Sequence, residues 1–196
     1  MCGSYILFSP EEKAEIAEML REVEERLRLQ QVSPTDEVPV FIAAGGDMQL
    51  QAMRWGFPQY GRSGVVINAR SETALEKPMF KKSLLERRCL IPASAYLEWS
   101  GTKKAKLRHT ISLPHNEPLY MAGCYQKFAP GELRFVILTT AANYSVREIH
   151  DRMPVILEHH ELSTWFAADP PFELLWQREH LALRVDPPLP QVIGLT

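Results

Sequence analysis

The segment Arg88-Cys89-Leu90-Ile91-Pro92-Ala93-Ser94-Ala95-Tyr96-Leu97-Glu98-Trp99 contains two short apolar runs. The first is typical of a strand buried on both faces, so Cys89 is predicted to be an inert core thiol. The second run, residues 95–99, is interrupted by Glu98. Because neighbouring strand residues point to opposite faces, Glu98 either faces solvent or lies in a cleft, where partial burial would suit it for proton transfer. The segment predicts two strands and one candidate acid–base residue.

Similar patterns on both sides of this segment predict an α+β fold. Gly45-Gly46-Asp47 between two strand-like runs predicts a β-hairpin, and Ser9-Pro10-Glu11-Glu12 predicts the start of an amphipathic helix. The other predicted strands are residues 38–44, 48–55, 65–70, 181–185 and a β-meander formed by 103–112, 119–125 and 133–140. The predicted helices are residues 10–29, 77–88, 146–150, 161–166 and 172–177. Together these elements predict a single domain over residues 1–196.

Length and composition place the chain among ordinary globular proteins. The 196 residues, 45% of them hydrophobic, are enough for one compact core. No apolar run approaches the roughly 18 residues that span a bilayer, and the first residues lack the basic region of a signal peptide. The three cysteines show no metal-ligand spacing, and their odd number argues against a disulfide framework. We therefore predict a cytoplasmic protein with no membrane contact, no metal and no cofactor.

Charge is distributed unevenly along the chain, although the formal net charge is only −2. Residues 62–108 carry eleven basic and four acidic side chains. A cationic segment of this kind suits a polyanion bound at one face. The alternative is a solvated basic surface that pairs with the acidic ends of the chain.

Cys2 is the candidate nucleophile. Loss of Met1 would leave an amine and a thiol on adjacent carbons, and both are nucleophiles near neutral pH. Together they can capture an aldehyde, first as a Schiff base and then as a closed thiazolidine ring. An internal cysteine cannot do this. The alternative is that Met1-Cys2 is an accidental start without chemical meaning.

Polar side chains near the ends of predicted strands supply further candidates. Asn68 and Arg70 lie two residues apart on a strand and so share a face, and arginine suits bidentate phosphate binding. His150 is predicted to lie in a loop beside Arg152, and imidazole exchanges protons near neutral pH. The alternative for Asn68 and Arg70 is a simple strand-end cap. The other histidines, at 109, 115, 159, 160 and 180, have unremarkable loop or surface contexts.

The segment Trp55-Gly56-Phe57-Pro58 is an aromatic corner at the end of a predicted strand. Such a corner is either part of the core or a platform on which a base or ring stacks. A second strand ends in hydroxyl groups at Thr139 and Thr140.

Six stretches in order along the chain carry a family resemblance. They are Met1-Cys2-Gly3, Arg54-Trp55-Gly56-Phe57, Ile67-Asn68-Ala69-Arg70-Ser71-Glu72-Thr73, Arg88-Cys89-Leu90-Ile91-Pro92-Ala93, Tyr96-Leu97-Glu98-Trp99 and Ile149-His150-Asp151-Arg152-Met153-Pro154-Val155. With them the chain resembles the SOS-response-associated peptidase (SRAP) family of abasic-site processing proteins. The resemblance implies barrel-like antiparallel sheets with helices around them and a positively charged groove for single-stranded DNA.

The resemblance also implies a mechanism. The protein itself removes Met1, and Cys2 then crosslinks to the open-chain aldehyde of an abasic site in single-stranded DNA. Asn68 holds the N-terminal amine or polarises the attacked group, while Glu98 and His150 move protons. The implied DNA-binding residues are Trp55, Phe57, Arg70, Thr139 and Arg152.

The chain departs from the family pattern at Ser4, where arginine is usual, and this removes one expected DNA contact. Ala95 and Leu97 replace a common glycine and a common aromatic residue. Two other functions stay open: an N-terminal-nucleophile hydrolase of peptides or small amides, and a non-catalytic single-stranded-DNA-binding module. We expect a monomer. The sequence leaves open whether a β-elimination (lyase) step accompanies crosslinking.

Overall fold

The computed structural model describes residues 2–7, 31–102, 105–128 and 130–190. The predicted helix over residues 10–29 lies outside the described residues. The strands are β1 (Ser4–Ile6), β2 (Gln31–Val32), β3 (Glu37–Ala44), β4 (Asp47–Trp55), β5 (Phe57–Pro58), β6 (Val65–Val66), β7 (Asn68–Arg70), β8 (Arg88–Ala93), β9 (Ala95–Thr102), β10 (Ala105–Ser112), β11 (Leu119–Lys127), β12 (Leu133–Ala141), β13 (Arg152–Pro154), β14 (Ile156–Leu157), β15 (Arg184–Val185) and β16 (Leu189–Pro190). The helices are α1 (Ser71–Ala74), α2 (Pro78–Glu86), α3 (Leu162–Trp165) and α4 (Phe172–Trp176), with 3-10 turns at Pro114–Asn116 and His159–Glu161.

A small antiparallel sheet has the strand order β15-β10-β9-β1-β2, with β16 also paired to β10. The N-terminal strand β1 lies between two neighbours: Tyr5 is opposite Tyr96 of β9 on one side and opposite Val32 of β2 on the other. Cys2 lies two residues before this strand. It is therefore joined by the chain to a central strand of the small sheet rather than to an edge strand.

A large sheet has the order β13-β12-β4-β3-β8-β11-β14. Strand β12 pairs parallel with β4 and β7, and antiparallel with β13 and β11. The β11–β12 pairing makes the large sheet curve back on itself, which is the barrel-like character that was expected, although the sheets do not close into a true barrel. The predicted α+β class is confirmed.

The predicted hairpin is confirmed, because β3 and β4 pair antiparallel around Gly45 and Gly46. Both glycines have positive φ, 64° and 95°, which a two-residue hairpin turn requires and other residues resist. The predicted β-meander is confirmed for its second pair, because β11 and β12 are antiparallel neighbours, and is wrong for its first pair, β10 with β11. Strand β10 pairs with β9 in the small sheet, whereas β11 pairs with β8 and β12 in the large one.

Two hydrophobic cores lie on opposite faces of the large sheet. Strand alternation separates them: Cys89 and Ile91 of β8 belong to the first core, and Leu90 between them belongs to the second. The first core also contains Cys2 and Tyr96, so it fills the space between the two sheets. The second core lies under the helices α1 to α4 and holds residues such as Phe80, Leu84 and Trp165.

Smaller differences concern the ends of elements. The helix predicted over residues 146–150 is a series of hydrogen-bonded turns, in which the amides of Arg147 and His150 donate to Asn143 and Val146. The strand predicted over residues 181–185 is reduced to Arg184–Val185, and the one over 65–70 is divided at Ile67. Cys89 is a fully buried free thiol, as predicted, and Cys124 is another. Within the described ranges, the helices are too short or too polar to cross a membrane.

Candidate functional site

Cys2 is completely buried in the first core, immediately before the strand β1. Its Sγ atom donates to the backbone oxygen of Ser4 at 3.6 Å. Burial, followed by the negative charge of Glu98, raises the pKa of the Cys2 thiol to about 12. The predicted nucleophile is therefore held as an unreactive thiol in this state of the chain.

Asn68 directly contacts the candidate nucleophile. Its Nδ2 atom donates to the backbone oxygen of Cys2 at 2.9 Å. Strand β7 begins at Asn68 and runs parallel to β12 with Asn68 opposite Ile137, a residue of the first core. This register aims the amide into the space between the two sheets, at the N-terminal segment.

Glu98 is 4% exposed, so the structure favours the buried alternative over the solvent-facing one. It lies on β9 in the stretch that pairs with β1 and β10, and its Oε1 atom accepts the amide hydrogen of Trp99 at 3.2 Å. Its charge contributes to the raised pKa of Cys2, and it lies two residues beyond Tyr96 on β9, so it shares the strand face that packs in the first core with Cys2. The structure thus brings Cys2, Asn68 and Glu98 to the space between the two sheets.

His150 lies at the partly exposed end of the turns that precede β13. Its Nδ1 atom is 3.0 Å from the backbone nitrogen of Arg152 and 2.7 Å from a carboxylate oxygen of Asp151. A neutral ring can accept the Arg152 amide hydrogen at Nδ1, whereas a protonated ring donates from Nδ1 to Asp151. Both protonation states therefore have a partner, which suits a proton-transfer residue.

Arg70 and Arg152 flank the carboxyl end of β12. Arg70 is exposed and lies opposite Thr139 in the parallel β7–β12 pair, while Arg152 lies opposite Ala141 in the antiparallel β12–β13 pair. Arg152 forms a bidentate ion pair with Glu72, with distances of 2.7 and 2.8 Å, and also donates to the backbone oxygen of Thr139 at 2.6 Å. Hydrogen bonds from Arg152 hold the pKa of the Glu72 carboxyl below its usual value.

Three predicted DNA contacts do not agree with the structure. Trp55 is 0% exposed, stacks on Phe135, and donates from its indole nitrogen to the backbone oxygen of Ile67 at 3.0 Å. Phe57 is 1% exposed and packs against Phe80 and Phe128 under the helices. Neither ring presents a face on which a base could stack, because the aromatic corner turns inward at Gly56.

Thr139 is the third such residue. Its side chain is fully buried, and its hydroxyl donates to the backbone oxygen of Ala69 at 3.5 Å. Only its carbonyl serves the site, by accepting a hydrogen bond from Arg152. Ser4, where the family usually has arginine, is 2% exposed and donates from its hydroxyl to Val32.

The prediction for His109 is wrong, because this residue is on a strand and 8% exposed rather than in a loop or at the surface. It lies directly opposite Glu98 in the β9–β10 pair, and its Nε2 atom is 2.7 Å from the hydroxyl of Ser100. Two tyrosines near Cys2, Tyr5 and Tyr96, were also missed. His109 could have been recognised as a neighbour of Glu98 only from the pairing of β9 with β10. The sequence analysis does not predict that pairing.

The cationic segment does not form one continuous face. Lys81 and Lys82 are exposed on α2, whose buried residues Phe80 and Leu84 belong to the second core, on the side of the large sheet away from Cys2. The guanidinium of Arg88 is used internally, with four hydrogen bonds to backbone carbonyls. Arg70 and Arg152, by contrast, lie on the two strands that pair with the carboxyl end of β12.

Among the described residues, one group could present three ligand atoms to a metal: Glu158, His160 and Glu161. Both carboxylates already have partners, since Glu161 binds Arg178 and Glu158 lies 2.9 Å from His180. This group lies apart from Cys2 in the sequence and in the fold.

The family profile described as SOS response associated peptidase (SRAP) matches residues 1–185. The chain belongs to the SRAP family. The abasic site processing protein YoqW of Bacillus subtilis (strain 168) is 35% identical over 179 residues, 84% of this chain and 80% of YoqW. The abasic site processing protein YoaM of the same organism is 35% identical over 144 residues, 68% of this chain and 63% of YoaM.

Comparison with solved structures agrees with this SRAP assignment at the level of the fold. A crystal structure of a Bacteroides thetaiotaomicron protein superposes with a TM-score of 0.76 at 22% identity, covering 94% of this chain and 91% of that one. Because the identity is low, this likeness supports the architecture alone.

Proposed function

We propose that this SRAP protein processes abasic sites in single-stranded DNA, and that Cys2, once Met1 has been removed, crosslinks covalently to the aldehyde of the opened sugar. The observation that carries the proposal is the grouping of Asn68 and Glu98 about Cys2. The substrate class comes from the relatives, which are named abasic site processing proteins.

The proposed reaction begins at the new amine. The amine of Cys2 attacks the aldehyde carbon to give a carbinolamine, and water leaves to give an iminium ion. The Cys2 thiolate then adds to the iminium carbon, and the electron pair of the C=N bond moves to nitrogen, which closes a thiazolidine ring. The net change is the loss of one water molecule, so no oxidant or reductant is needed.

The residues around Cys2 have roles in this sequence. Nδ2 of Asn68 holds the carbonyl of Cys2, while Oδ1 of Asn68 has no hydrogen-bond partner within the described part of the chain and is available to accept from the new amine. Glu98 takes up the thiol proton, and His150 assists the departure of water. The cationic nitrogen of the iminium ion, next to the thiol, also opposes the effect of burial that raises the thiol pKa.

Arg70 and Arg152 are proposed to bind the phosphates beside the abasic site. A guanidinium that already forms a planar bidentate pair with a carboxylate can form the same pair with a phosphate. Arg152 would then exchange Glu72 for a DNA phosphate while keeping its bond to Thr139.

Removal of Met1 is proposed to be the chain's own peptidase activity. Water is added across the Met1–Cys2 peptide bond and free methionine is released. The expected result is that wild-type protein lacks Met1 by intact mass and that Asn68→Ala retains it. Complete loss of Met1 in Asn68→Ala would assign the cleavage to another peptidase.

The test of crosslinking mixes protein lacking Met1 with a single-stranded oligonucleotide that contains one abasic site, followed by a denaturing gel and intact mass. We expect a shifted band whose mass equals protein plus DNA minus one water, and no such band with Cys2→Ala. Cys124→Ala is the matched control, because it removes a buried thiol of the second core and should still crosslink.

Two results would contradict the proposal: a crosslink that survives Cys2→Ala, or no adduct with wild type whose mature N-terminus is Cys2. Salt-sensitive binding without an adduct would support a binding module. Peptide turnover that is indifferent to DNA would support a hydrolase.

A further inference from the structure

Two buried phenol groups beside Cys2 have no hydrogen-bond partner. Tyr5 is 0% exposed and Tyr96 is 1% exposed, and neither hydroxyl is bonded to another atom of the described residues. A buried polar group left without a partner destabilises the fold, so native proteins keep such groups rarely and for a reason. Two of them together call for an explanation.

The side chains of the two tyrosines are neighbours on one face of the small sheet. Tyr5 of β1 lies directly opposite Tyr96 of β9, and residues directly opposite each other in an antiparallel pair point to the same face. Both rings belong to the first core, together with Cys2. Glu98 lies two residues beyond Tyr96 on the same face of β9.

The pKa shifts of both phenols depend in part on Cys2 and indicate that the phenols act as hydrogen-bond donors. Burial raises the pKa of each phenol well above its usual value, and negative charge on Cys2 raises both further. Glu98 acts in the same direction on Tyr96, and Asp36 and Cys89 do so on Tyr5. Both groups therefore stay protonated across the range in which an enzyme works, and each can donate one hydrogen bond.

The proposed substrate supplies oxygen atoms that match these donors. An opened abasic sugar carries a hydroxyl group beyond its aldehyde, and the oxygen of that hydroxyl can accept a hydrogen bond from each phenol. A plain alkyl aldehyde lacks this hydroxyl. Donors buried away from water discriminate strongly in favour of a ligand that satisfies them, because the alternative is a buried group without a partner.

We propose that Tyr5 and Tyr96 form a hydroxyl-recognition subsite that binds the oxygens of the opened sugar and selects hydroxylated aldehydes over plain ones. No proton is transferred from either phenol. The subsite rests on the proposed function, since it serves the aldehyde that Cys2 captures.

The experiment uses Tyr5→Phe and Tyr96→Phe, which remove one oxygen and keep each ring. Initial rates of adduct formation are measured by intact mass, on protein lacking Met1, with three probes: the abasic oligonucleotide, 2-deoxyribose and butanal. We expect each variant to react about five- to tenfold more slowly with the oligonucleotide and 2-deoxyribose, and at an unchanged rate with butanal. Tyr125→Phe is the matched control, because Tyr125 packs at the edge of the same core and should react like wild type.

Thermal unfolding separates binding from structure. Removing an unpartnered hydroxyl should leave the Tm unchanged or raise it, so a slower reaction with an equal or higher Tm supports the subsite. A lower Tm, with all three probes slowed equally, would mean that the hydroxyls serve the fold and would overturn the inference.

Failure of the inference and failure of the proposed function give different results. Wild type that captures the oligonucleotide, with both variants showing the wild-type preference for 2-deoxyribose over butanal, overturns the subsite alone. Wild type that reacts with butanal but with neither 2-deoxyribose nor the oligonucleotide overturns both.

Discussion

Two arginine–glutamate pairs in this protein have nearly the same geometry and very different surroundings. Arg152 binds Glu72 through two bonds of 2.7 and 2.8 Å, and Arg178 binds Glu161 through two bonds of 2.6 and 2.8 Å. Each arginine also donates to one backbone carbonyl, that of Thr139 or of Ile156. The Arg152 and Glu72 side chains are 13% and 45% exposed, whereas those of Arg178 and Glu161 are 1% and 13% exposed.

The difference in exposure decides what each pair can do. A pair shielded from water cannot exchange partners without leaving a buried charge unpaired, so the Arg178–Glu161 pair serves the fold. A pair with one exposed partner loses little when that partner is replaced by another anion. Four predictions test this division.

The largest effect is expected from Arg178→Ala. This change leaves the Glu161 carboxylate, whose side chain is only 13% exposed, without its arginine, so the free energy of unfolding should fall by about 3 kcal/mol. Urea denaturation measures it, and Arg152→Ala, expected to cost about 1 kcal/mol or less, is the comparison. The double variant Arg178→Met with Glu161→Leu should recover most of the loss. Equal costs for the two arginines would remove the distinction.

The second prediction concerns DNA. Under the proposed function, Arg152→Ala should weaken binding to single-stranded DNA about tenfold or more, and should lower the slope of log K against log salt by about 0.7. Fluorescence anisotropy across a salt series measures both. Lys82→Ala, which removes an exposed charge from α2 on the other side of the large sheet, should change neither. An effect of Lys82→Ala as large as that of Arg152→Ala would place the DNA elsewhere.

A smaller effect of opposite sign is expected from Glu72→Gln. The substitution removes the anion that competes with phosphate for Arg152, so single-stranded DNA should bind up to about fivefold more tightly. The same anisotropy measurement detects it. Weaker binding would show that Glu72 holds Arg152 in place for DNA rather than competing with it.

The smallest effect is the dependence of stability on pH. Hydrogen bonds from Arg152 lower the pKa of Glu72; burial raises the pKa of Glu161, but its bonds to Arg178 outweigh this and lower it overall. A lowered pKa stabilises the fold above the unfolded value of about 4.3, and this stabilisation is lost as pH falls through the folded value. The urea midpoint should therefore decline below about pH 4, and the decline should be shallower in Glu161→Gln and in Glu72→Gln than in wild type. A wild-type profile in either variant would contradict a stabilising role for that carboxylate.

Local features of this fold were predictable from sequence. Gly45-Gly46 determines its hairpin because the turn needs positive φ at both positions, and Pro78 marks the start of a helix because its ring presets φ. The pair β10 with β11, which was predicted but does not form, shows the limit of prediction from periodicity. Periodicity identifies β10 and β11 as strands, but it does not say that the chain passes from one sheet to the other between them.

In the candidate site, too, local features were predictable and features that depend on strand pairing were not. Cys2, Asn68 and Glu98 were identified from motif and chemistry. In the structure Asn68 donates to the backbone oxygen of Cys2, and the charge of Glu98 helps to raise the pKa of the Cys2 thiol. His109 and Tyr5 were missed because their importance depends on cross-strand register with Glu98 and Tyr96. Trp55 and Phe57 were misplaced because an aromatic residue at a strand end looks the same in sequence whether it turns inward or outward.

The position of β1 between β9 and β2 has a mechanical consequence. A DNA strand joined to Cys2 would pull on the protein through Ser4–Ile6, a segment whose backbone is bonded to a neighbour on each side. A load applied along that strand is shared by both ladders at once. The proposed adduct would therefore transmit tension on the DNA into two hydrogen-bonded ladders rather than one.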